Sequence, residues 1–202
     1  MRSSTLAGTK PSTFFWCGHS TNQTLSIMKV PIQVPSPIGA SAPSSMSASG
    51  SQLIRPVLIE EAEALHALTL RSTAHWGYTP EFLEWEPEAI AVTPELLEKA
   101  LASYLLEDDG VVTGYYVLTG TVEHAHLDKL FVDAPFIGTG RGKLLWNHAI
   151  ATAKWLQVQK LDFYADPNAG PFYRAMGAIW LGEEETDWPG WNIQMFEVDL
   201  HS

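Results

Sequence analysis

A glycine-rich segment, Gly138-Thr139-Gly140-Arg141-Gly142-Lys143, constrains this chain more than any other feature of its sequence. It follows an apolar run that ends at Val132, and a helical pattern begins behind it near Leu144. Glycines at alternate positions let backbone N–H groups approach an anion closely, and the start of the following helix carries partial positive charge. The segment therefore predicts an anion-binding loop at a strand-to-helix junction, and a phosphate group is the anion we expect.

The charge of the chain narrows the choice of partner. The 202 residues carry a formal net charge of −11, and every Asp and Glu lies after Ile59. Nucleic-acid binding needs clustered Lys and Arg, so we expect no nucleic-acid partner. No apolar run reaches the roughly 18 residues of a membrane span, so we expect no membrane partner either. The single cysteine, Cys17, excludes an intramolecular disulfide and a multi-cysteine zinc site.

The first 52 residues differ in composition from the rest. They hold 17 Ser or Thr residues and five prolines, with no sustained helical or strand period. We predict a disordered extension at residues 1–52 and one folded domain at residues 53–202. Because the extension is rich in Ser and free of acids, two alternatives stay open: an organellar transit peptide, or translation that starts at Met28 or Met46. Without targeting, we expect a cytoplasmic protein.

Hydrophobic periodicity in the sequence predicts the succession of helices and strands in the folded domain. Thr-Pro-Glu at Thr79 and again at Thr93 predicts two helix starts, and Asp109-Gly110 predicts the turn of a hairpin. Strands are predicted near residues 53–59, 104–107, 111–119, 124–132, 161–165, 178–181 and 193–200. Further helices are predicted near residues 60–71, 144–157 and 171–176. This order predicts a mixed α/β fold in which the glycine loop caps a strand-to-helix crossover.

Three segments carry a more specific pattern. They are Leu130-Phe131-Val132, then Gly138 to Gly142 with Leu144-Leu145, and then Asp166-Pro167-Asn168 with Phe172-Tyr173-Arg174-Ala175-Met176-Gly177-Ala178. Together they resemble the acetyl-coenzyme A binding core of the Gcn5-related N-acetyltransferases (GNAT). The resemblance implies the acyl-CoA N-acyltransferase fold, a mostly antiparallel twisted sheet flanked by helices. It also implies direct transfer of acetyl from acetyl-CoA to a primary amine of a small molecule or peptide. A non-catalytic CoA-binding module and a homodimer stay open alternatives.

The resemblance also implies which residues hold the co-substrate. In that family the main-chain amides of the loop bind the coenzyme A pyrophosphate, and the strand before the loop pairs with the pantetheine arm. The loop residues of this chain are Gly138, Thr139, Gly140, Arg141, Gly142 and Lys143, and the strand residues are Leu130, Phe131 and Val132. Asn168 resembles an asparagine that touches the cofactor, with an ordinary turn residue as the alternative. Ile137 departs from the Gln or Arg that usually opens the loop motif.

The catalytic residues follow from the same resemblance. Tyr173 stands where the family commonly has a tyrosine that contacts the cofactor and protonates the leaving thiolate, and a phenol has a suitable pKa. A tyrosine that only packs on the sheet is the alternative. His124, His126 and Asp128 alternate, so they share a face of their strand if no bulge intervenes.

The proton acceptor is the least determined part of the predicted site. The segment around Ala125-His126-Leu127 resembles arylalkylamine N-acetyltransferases, in which two strand histidines relay the proton through water, and these positions map onto His126 and Asp128. The second histidine is absent here, so an Asp128 that orients or charge-pairs with His126, rather than replacing the histidine, stays open. A merely structural His126 stays open. A metal bound to the alternating residues is a third alternative, but no second His or Cys cluster completes its shell, so we expect no metal.

Two aromatic loops are predicted to receive the acceptor amine, because binding residues concentrate on loops held by a rigid scaffold. The predicted acceptor residues are His75, Trp76, Tyr78, Trp188 and Trp191. Acidic residues at 183–187 lie close in sequence to the second loop and suit a cation. Aromatic residues that only cover the core are the alternative, and the sequence does not name the acceptor.

Overall fold

The computed structural model describes residues 51–85, 87–188 and 190–201 of the chain. Nearly all of the predicted extension at residues 1–52 therefore lies outside the described residues. The strands are β1 (Gln52–Pro56), β2 (Ala102–Asp108), β3 (Val111–Gly120), β4 (Ala125–Val132), β5 (Leu161–Ala165), β6 (Ile179–Glu185) and β7 (Asn192–Val198). The helices are α1 (Ala62–Ala74), α2 (Pro80–Trp85), α3 (Pro87–Ile90), α4 (Pro94–Lys99), α5 (Arg141–Trp155) and α6 (Gly170–Ala175). None of the helices in these ranges combines the length and apolar character that crossing a membrane would require.

The local signals in the sequence act as expected. The side chain of Thr93 accepts a hydrogen bond from the N–H of Leu96 at 3.1 Å, and Pro94 opens α4. Asp109 and Gly110 take φ values of 50° and 80°, the left-handed pair that a tight hairpin turn requires. The hairpin of β2 and β3 and the cap of α4 therefore form from local sequence alone.

The seven strands form one sheet in the order β1-β2-β3-β4-β5-β7-β6. Every neighbouring pair is antiparallel except β4 and β5, which are parallel and joined through α5. The ladder between β4 and β5 comprises only two register pairs, Ala125 with Leu161 and His126 with Asp162. The predicted mixed α/β fold with a mostly antiparallel sheet is confirmed, and the centre of the sheet opens after His126.

The core has two layers, one on each face of the sheet. Tyr116, Leu161 and Phe163 pack with residues of α5 and α6 on one face. Leu105 and Tyr115 pack with residues of α1 and α4 on the other. The buried hydroxyls of the two adjacent tyrosines both have partners, since Tyr115 meets Thr69 Oγ1 at 2.6 Å and Tyr116 meets Thr152 Oγ1 at 2.9 Å.

A bulge interrupts β4 at Asp128. Val117 of β3 pairs with Lys129, whereas the next residue, Leu118, pairs with Leu127, so Asp128 is an extra residue in its strand. The sequence predicts one shared face for His124, His126 and Asp128 only if no bulge intervenes, so this prediction fails at Asp128. The Asp128 carboxylate pairs with the ammonium group of Lys129, which is only 6% exposed. Sequence alternation cannot reveal a bulge, because the extra residue depends on the register with β3.

Candidate active site

Asp133 joins β4 to the glycine loop. Its carboxylate accepts hydrogen bonds from the Ala134 N–H at 2.8 Å and from Arg71 Nε and Nη2 at 3.0 and 2.6 Å. Arg71 belongs to α1 and its side chain is half-exposed, whereas Asp133 is buried, so this bidentate pair ties the end of β4 to the helix on one face of the sheet. The loop that follows therefore starts from a fixed point.

Gly138 and Gly140 give the loop its shape. Their φ values are 78° and 90°, in the left-handed region, and no atom lies within 4 Å of where a Cβ would stand on either residue. Backbone conformation, not packing, thus requires glycine at both positions. The space above both residues is open, as a bound anion requires.

The amino-terminal end of α5 supplies the donors. Gly140 is the N-cap of this 15-residue helix, and the N–H of Leu144 donates to its carbonyl at 3.2 Å. The amides of Arg141, Gly142 and Lys143 belong to the first turn, where an α-helix offers them no acceptor of its own. These amides stand at the positive end of the helix dipole, so a pyrophosphate fits the site.

Two polar side chains of the loop are directed at the protein. Arg141 Nε donates to Asp108 Oδ2 at 2.7 Å, and its guanidinium lies 4.8 Å from the ring centroid of Phe136. Thr139 donates to the Phe136 carbonyl through its N–H at 3.2 Å and also through its hydroxyl. Arg141 therefore offers a ligand mainly its amide, and the amide of Thr139 is already engaged inside the loop.

The second half of β4 leads back from the loop into the sheet. Leu130, Phe131 and Val132 pair with β3 on one side. On the other side the ladder with β5 has ended at His126. This main-chain edge is suited to pair with an extended ligand arm, and an arm that follows it from the loop runs toward the bulge and His126.

Three nitrogen groups surround the carboxylate of Asp162 on β5. His124 Nε2 lies 2.6 Å and Lys160 Nζ 3.1 Å from its Oδ2, and His126 Nδ1 contacts its Oδ1. Partial burial raises the pKa of Asp162, but the hydrogen bonds from His124 and Lys160 and the charges of both histidines outweigh it, and the pKa lies below its ordinary value. Asp162 is therefore ionised at neutral pH, and it is the carboxylate that contacts His126.

Tyr173 lies in α6 and is 7% exposed. Its ring packs against those of Phe163, Trp146 and Phe196, with centroids 4.5, 5.4 and 5.8 Å away. Burial raises the pKa of its phenol, so the hydroxyl keeps its proton at physiological pH. This is the state that a proton donor needs, and the packing is also what a structural tyrosine would show.

The two aromatic loops meet at the hydroxyl of Tyr78. It accepts hydrogen bonds from Trp191 Nε1 at 3.0 Å and from Asn168 Nδ2 at 3.1 Å, and it donates to Asp166 Oδ2. Burial, followed by the bond to Asp166, raises the pKa of Tyr78. Asn168, predicted to touch the cofactor, thus donates a hydrogen bond to Tyr78, which is one of the predicted acceptor residues.

Phe82 connects these aromatic residues, and sequence reasoning did not single it out. It stacks on Tyr78 with centroids 4.3 Å apart and meets Trp188 and Trp191 edge to face at 5.2 and 5.3 Å. The only signal was its place in the first turn behind the Thr79 cap. The remaining predicted acceptor residues, His75 and Trp76, pack edge to face on each other at 5.3 Å just after α1.

The chain matches the family model described as acetyltransferase (GNAT) family over residues 62–178. It belongs to the GNAT acetyltransferase family. The peptidyl-lysine N-acetyltransferase YjaB of Salmonella typhimurium is 31% identical to it over 130 residues, which cover 63% of this chain and 83% of that enzyme. YjaB of Escherichia coli is 28% identical over 130 residues, 63% of this chain and 82% of its own.

Solved GNAT structures have the same fold. A GCN5-related N-acetyltransferase from Rhodopseudomonas palustris is 20% identical with a TM-score of 0.61, over 76% of this chain and 98% of its own. The PaiA N-acetyltransferase from Thermoplasma acidophilum, in complex with coenzyme A, is 22% identical with a TM-score of 0.58, over 73% and 99% of the two chains.

Family membership confirms four predictions made from the sequence. The chain is a GNAT member, has the GNAT fold, is an N-acetyltransferase and uses acetyl-CoA as its co-substrate. The residue assignments within the GNAT site stay predictions. Sequence reasoning missed Asp162 and Phe82, because both reach the site through contacts that only the folded sheet creates.

Proposed function

We propose that this GNAT enzyme acetylates the ε-amine of lysine residues in peptides or proteins. The observation that carries the proposal is the match to two relatives named peptidyl-lysine N-acetyltransferase, one of them covered over 83% of its length at 31% identity. The formal charge of −11 also suits a cationic acceptor. A cytoplasmic location, a homodimer and the absence of nucleic-acid and membrane partners stay predictions made from the sequence.

In this proposal the carboxyl end of β4 holds acetyl-CoA. The amides of Gly138, Gly140 and the first turn of α5 bind the pyrophosphate, with Lys143 adding an exposed positive charge. The β4 edge at Leu130, Phe131 and Val132 pairs with the pantetheine arm. The open space above the glycines and the missing ladder with β5 support both assignments.

In this proposal the amino end of β4 carries the residue that accepts the proton of the acceptor amine. The amine nitrogen forms a bond to the acetyl carbon, the carbon–sulfur bond breaks, and the products are an amide and the thiol of coenzyme A. We assign His126 to accept the amine proton through water, with its ring positioned by Asp162. Tyr173 donates a proton to the departing sulfur. Transfer is direct, without an acetylated enzyme residue, and in this proposal Asp162 takes the role beside His126 that was predicted for Asp128, because Asp128 lies at the bulge and pairs with Lys129.

The aromatic loops form the acceptor wall. Tyr78, Trp188 and Trp191 offer flat apolar surface for the methylene chain of a lysine, and ring faces attract its ammonium group. Phe82 holds these three rings together. His75 and Trp76, just after α1, stay predicted acceptor residues, and their described ring contact is with each other.

A thiol-release assay with matched peptides tests the proposal. One peptide set carries a single lysine with a blocked amino terminus, and the control set carries arginine in place of that lysine. We expect thiol release and one added acetyl group on the ε-nitrogen with the lysine set only. Release with polyamines or other small amines, but not with lysine peptides, would contradict the acceptor class and leave the acetyltransferase activity intact.

A further inference from the structure

The cluster of His124, His126 and Asp162 has a composition that acid–base chemistry does not require. One ring nitrogen of each histidine and a carboxylate oxygen, one ligand atom from each residue, all lie within 4.8 Å of one another. Two imidazoles and one carboxylate are a ligand set that Zn²⁺ binds, with a fourth position left for water. We propose that these three residues form a zinc-binding site at the amino end of β4.

The distances suit this ligand set. Bond lengths of about 2.0–2.2 Å place the ligand atoms of one tetrahedral zinc ion roughly 3.3 Å apart. Here His124 Nε2 stands 2.6 Å from Asp162 Oδ2, and His126 Nδ1 also touches this carboxylate. Side-chain rotations that widen these two gaps by less than about 1 Å, and that bring the third pair of ligand atoms from within 4.8 Å to about 3.3 Å, would admit the ion. Each imidazole must be neutral and carry its proton on the ring nitrogen that does not bind zinc, so a proton held on His124 Nε2 or His126 Nδ1 is released to solvent or taken up at the other nitrogen of the ring.

The backbone holds the three side chains in place. His126 and Asp162 are register partners in the short ladder of β4 and β5, and the Ala125 N–H donates to the Lys160 carbonyl at 2.9 Å beside them. His124 ends a turn in which the Thr121 N–H donates to its carbonyl at 3.0 Å. A site carried by paired strands keeps its geometry better than one carried by loops.

Among the residues that the structure describes, Lys160 is the Lys or Arg in contact with the cluster, and its charge would oppose a metal ion. Its Nζ lies 3.1 Å from Asp162 Oδ2 and 3.8 Å from Glu197 Oε2. The Lys160 side chain is 46% exposed, so it is free to turn fully to Glu197 when the oxygen of Asp162 binds zinc. The cluster thus exchanges one cation for another without leaving a carboxylate unpaired.

Zinc bound at this site would occupy the imidazole of His126, which is assigned to accept the amine proton. Zinc should therefore inhibit acetyl transfer. This consequence rests on the proposed function, whereas metal binding does not. His124 has no assigned part in the reaction, and its ring is the ligand that can be removed alone. The His124→Asn variant therefore separates metal binding from catalysis.

Calorimetry with ZnCl₂ tests the site. The protein should be free of any polyhistidine tag and carry Cys17→Ser, so that neither supplies a ligand. We expect one zinc ion per chain, with affinity reduced at least about tenfold in His124→Asn and in Asp162→Asn. His201→Asn, an exposed histidine outside the cluster, is the matched control and should bind zinc as the parent does. Absence of stoichiometric binding, parental affinity in His124→Asn, or an equal loss in His201→Asn would overturn the proposal.

Activity provides a second readout. The rate of His124→Asn without metal is its own reference, and zinc should inhibit the parent but leave this variant at that reference rate, with EDTA restoring the parent. Equal zinc inhibition of both proteins would count against the site. Zinc that binds the parent with the expected stoichiometry but leaves its rate unchanged would support the site and contradict the role of His126.

Discussion

At its carboxyl end, β4 leads through Asp133 into a loop whose main-chain amides are proposed to bind acetyl-CoA. At its amino end, the same strand carries imidazoles that meet a carboxylate of β5. The first region depends on backbone conformation, since Gly138 and Gly140 have left-handed φ values and open space above them. The second depends on which side chains stand opposite each other, since His126 and Asp162 are register partners.

This difference has a chemical reason. A pyrophosphate is bound by many N–H donors that every residue carries, so side chains in the loop are free to serve the fold, as Arg141 does with Asp108. Proton transfer needs groups that titrate or donate at the right place, which only particular side chains supply. Substitutions should therefore act differently at the two ends of β4.

The largest effect is expected from the proposed proton donor, Tyr173 of α6. Tyr173→Phe removes the donor for the departing sulfur and keeps the ring that packs on Phe163. We expect kcat to fall about 100- to 1000-fold, with little change in the acetyl-CoA-induced rise of melting temperature. Steady-state kinetics and thermal shift measure the two. An unchanged kcat would show that Tyr173 only packs in the core.

The next largest effect is a loss of acetyl-CoA affinity, and it is expected from a charge added to the glycine loop. Gly140→Asp adds a negative charge where the pyrophosphate is expected, and like charges in contact cost several kcal/mol, so acetyl-CoA should bind roughly 100-fold more weakly. Gly140→Ala is the matched control, because it adds the same left-handed strain without charge and should lose far less affinity. Calorimetric titration with acetyl-CoA separates them. Equal losses in both variants would mean that strain, not the anion site, is responsible.

A smaller effect is expected from the side chain of Arg141. Arg141→Ala leaves the amide in place, so acetyl-CoA affinity should change by no more than about threefold. Stability should fall by about 1–3 kcal/mol, because Asp108 loses its guanidinium and its Oδ1 is already buried without a hydrogen-bond partner among the described residues. Arg174→Ala, outside the loop, is the control. A loss of affinity like that of Gly140→Asp would show that the side chain binds the phosphates.

The smallest effect is expected for the pH dependence of kcat, which should show no decline from loss of the Tyr173 proton. Burial raises the pKa of Tyr173 above its ordinary value near 10, so the phenol stays protonated as the pH rises from 8 to 10. At saturating acetyl-CoA and lysine peptide, kcat should show no decline from loss of this proton. A kcat–pH profile with Tyr173→Phe measured alongside tests this. A parental decline centred below 10 that the variant lacks would contradict the inferred environment.

Much of the fold could be predicted because its signals are local. Thr93 caps its helix, Asp109-Gly110 turns its hairpin, and alternating or helical periods mark the remaining elements. The shape of the glycine loop is also a local signal, because the left-handed φ values of Gly138 and Gly140 are ones that glycine favours. The bulge at Asp128 could not be predicted, because it depends on how β3 and β4 align.

The sequence by itself therefore determined the element order, the left-handed glycines of the loop before α5 and, through its motifs, the GNAT family and acetyl-CoA. Tertiary structure alone decided that Asp162 contacts His126, that Phe82 joins the acceptor rings, and that Asn168 binds Tyr78. The physical reason is the range of the interactions. Backbone conformation and capping act over a few residues, whereas these contacts join residues 36 or more positions apart in the chain, apart from the neighbours Tyr78 and Phe82.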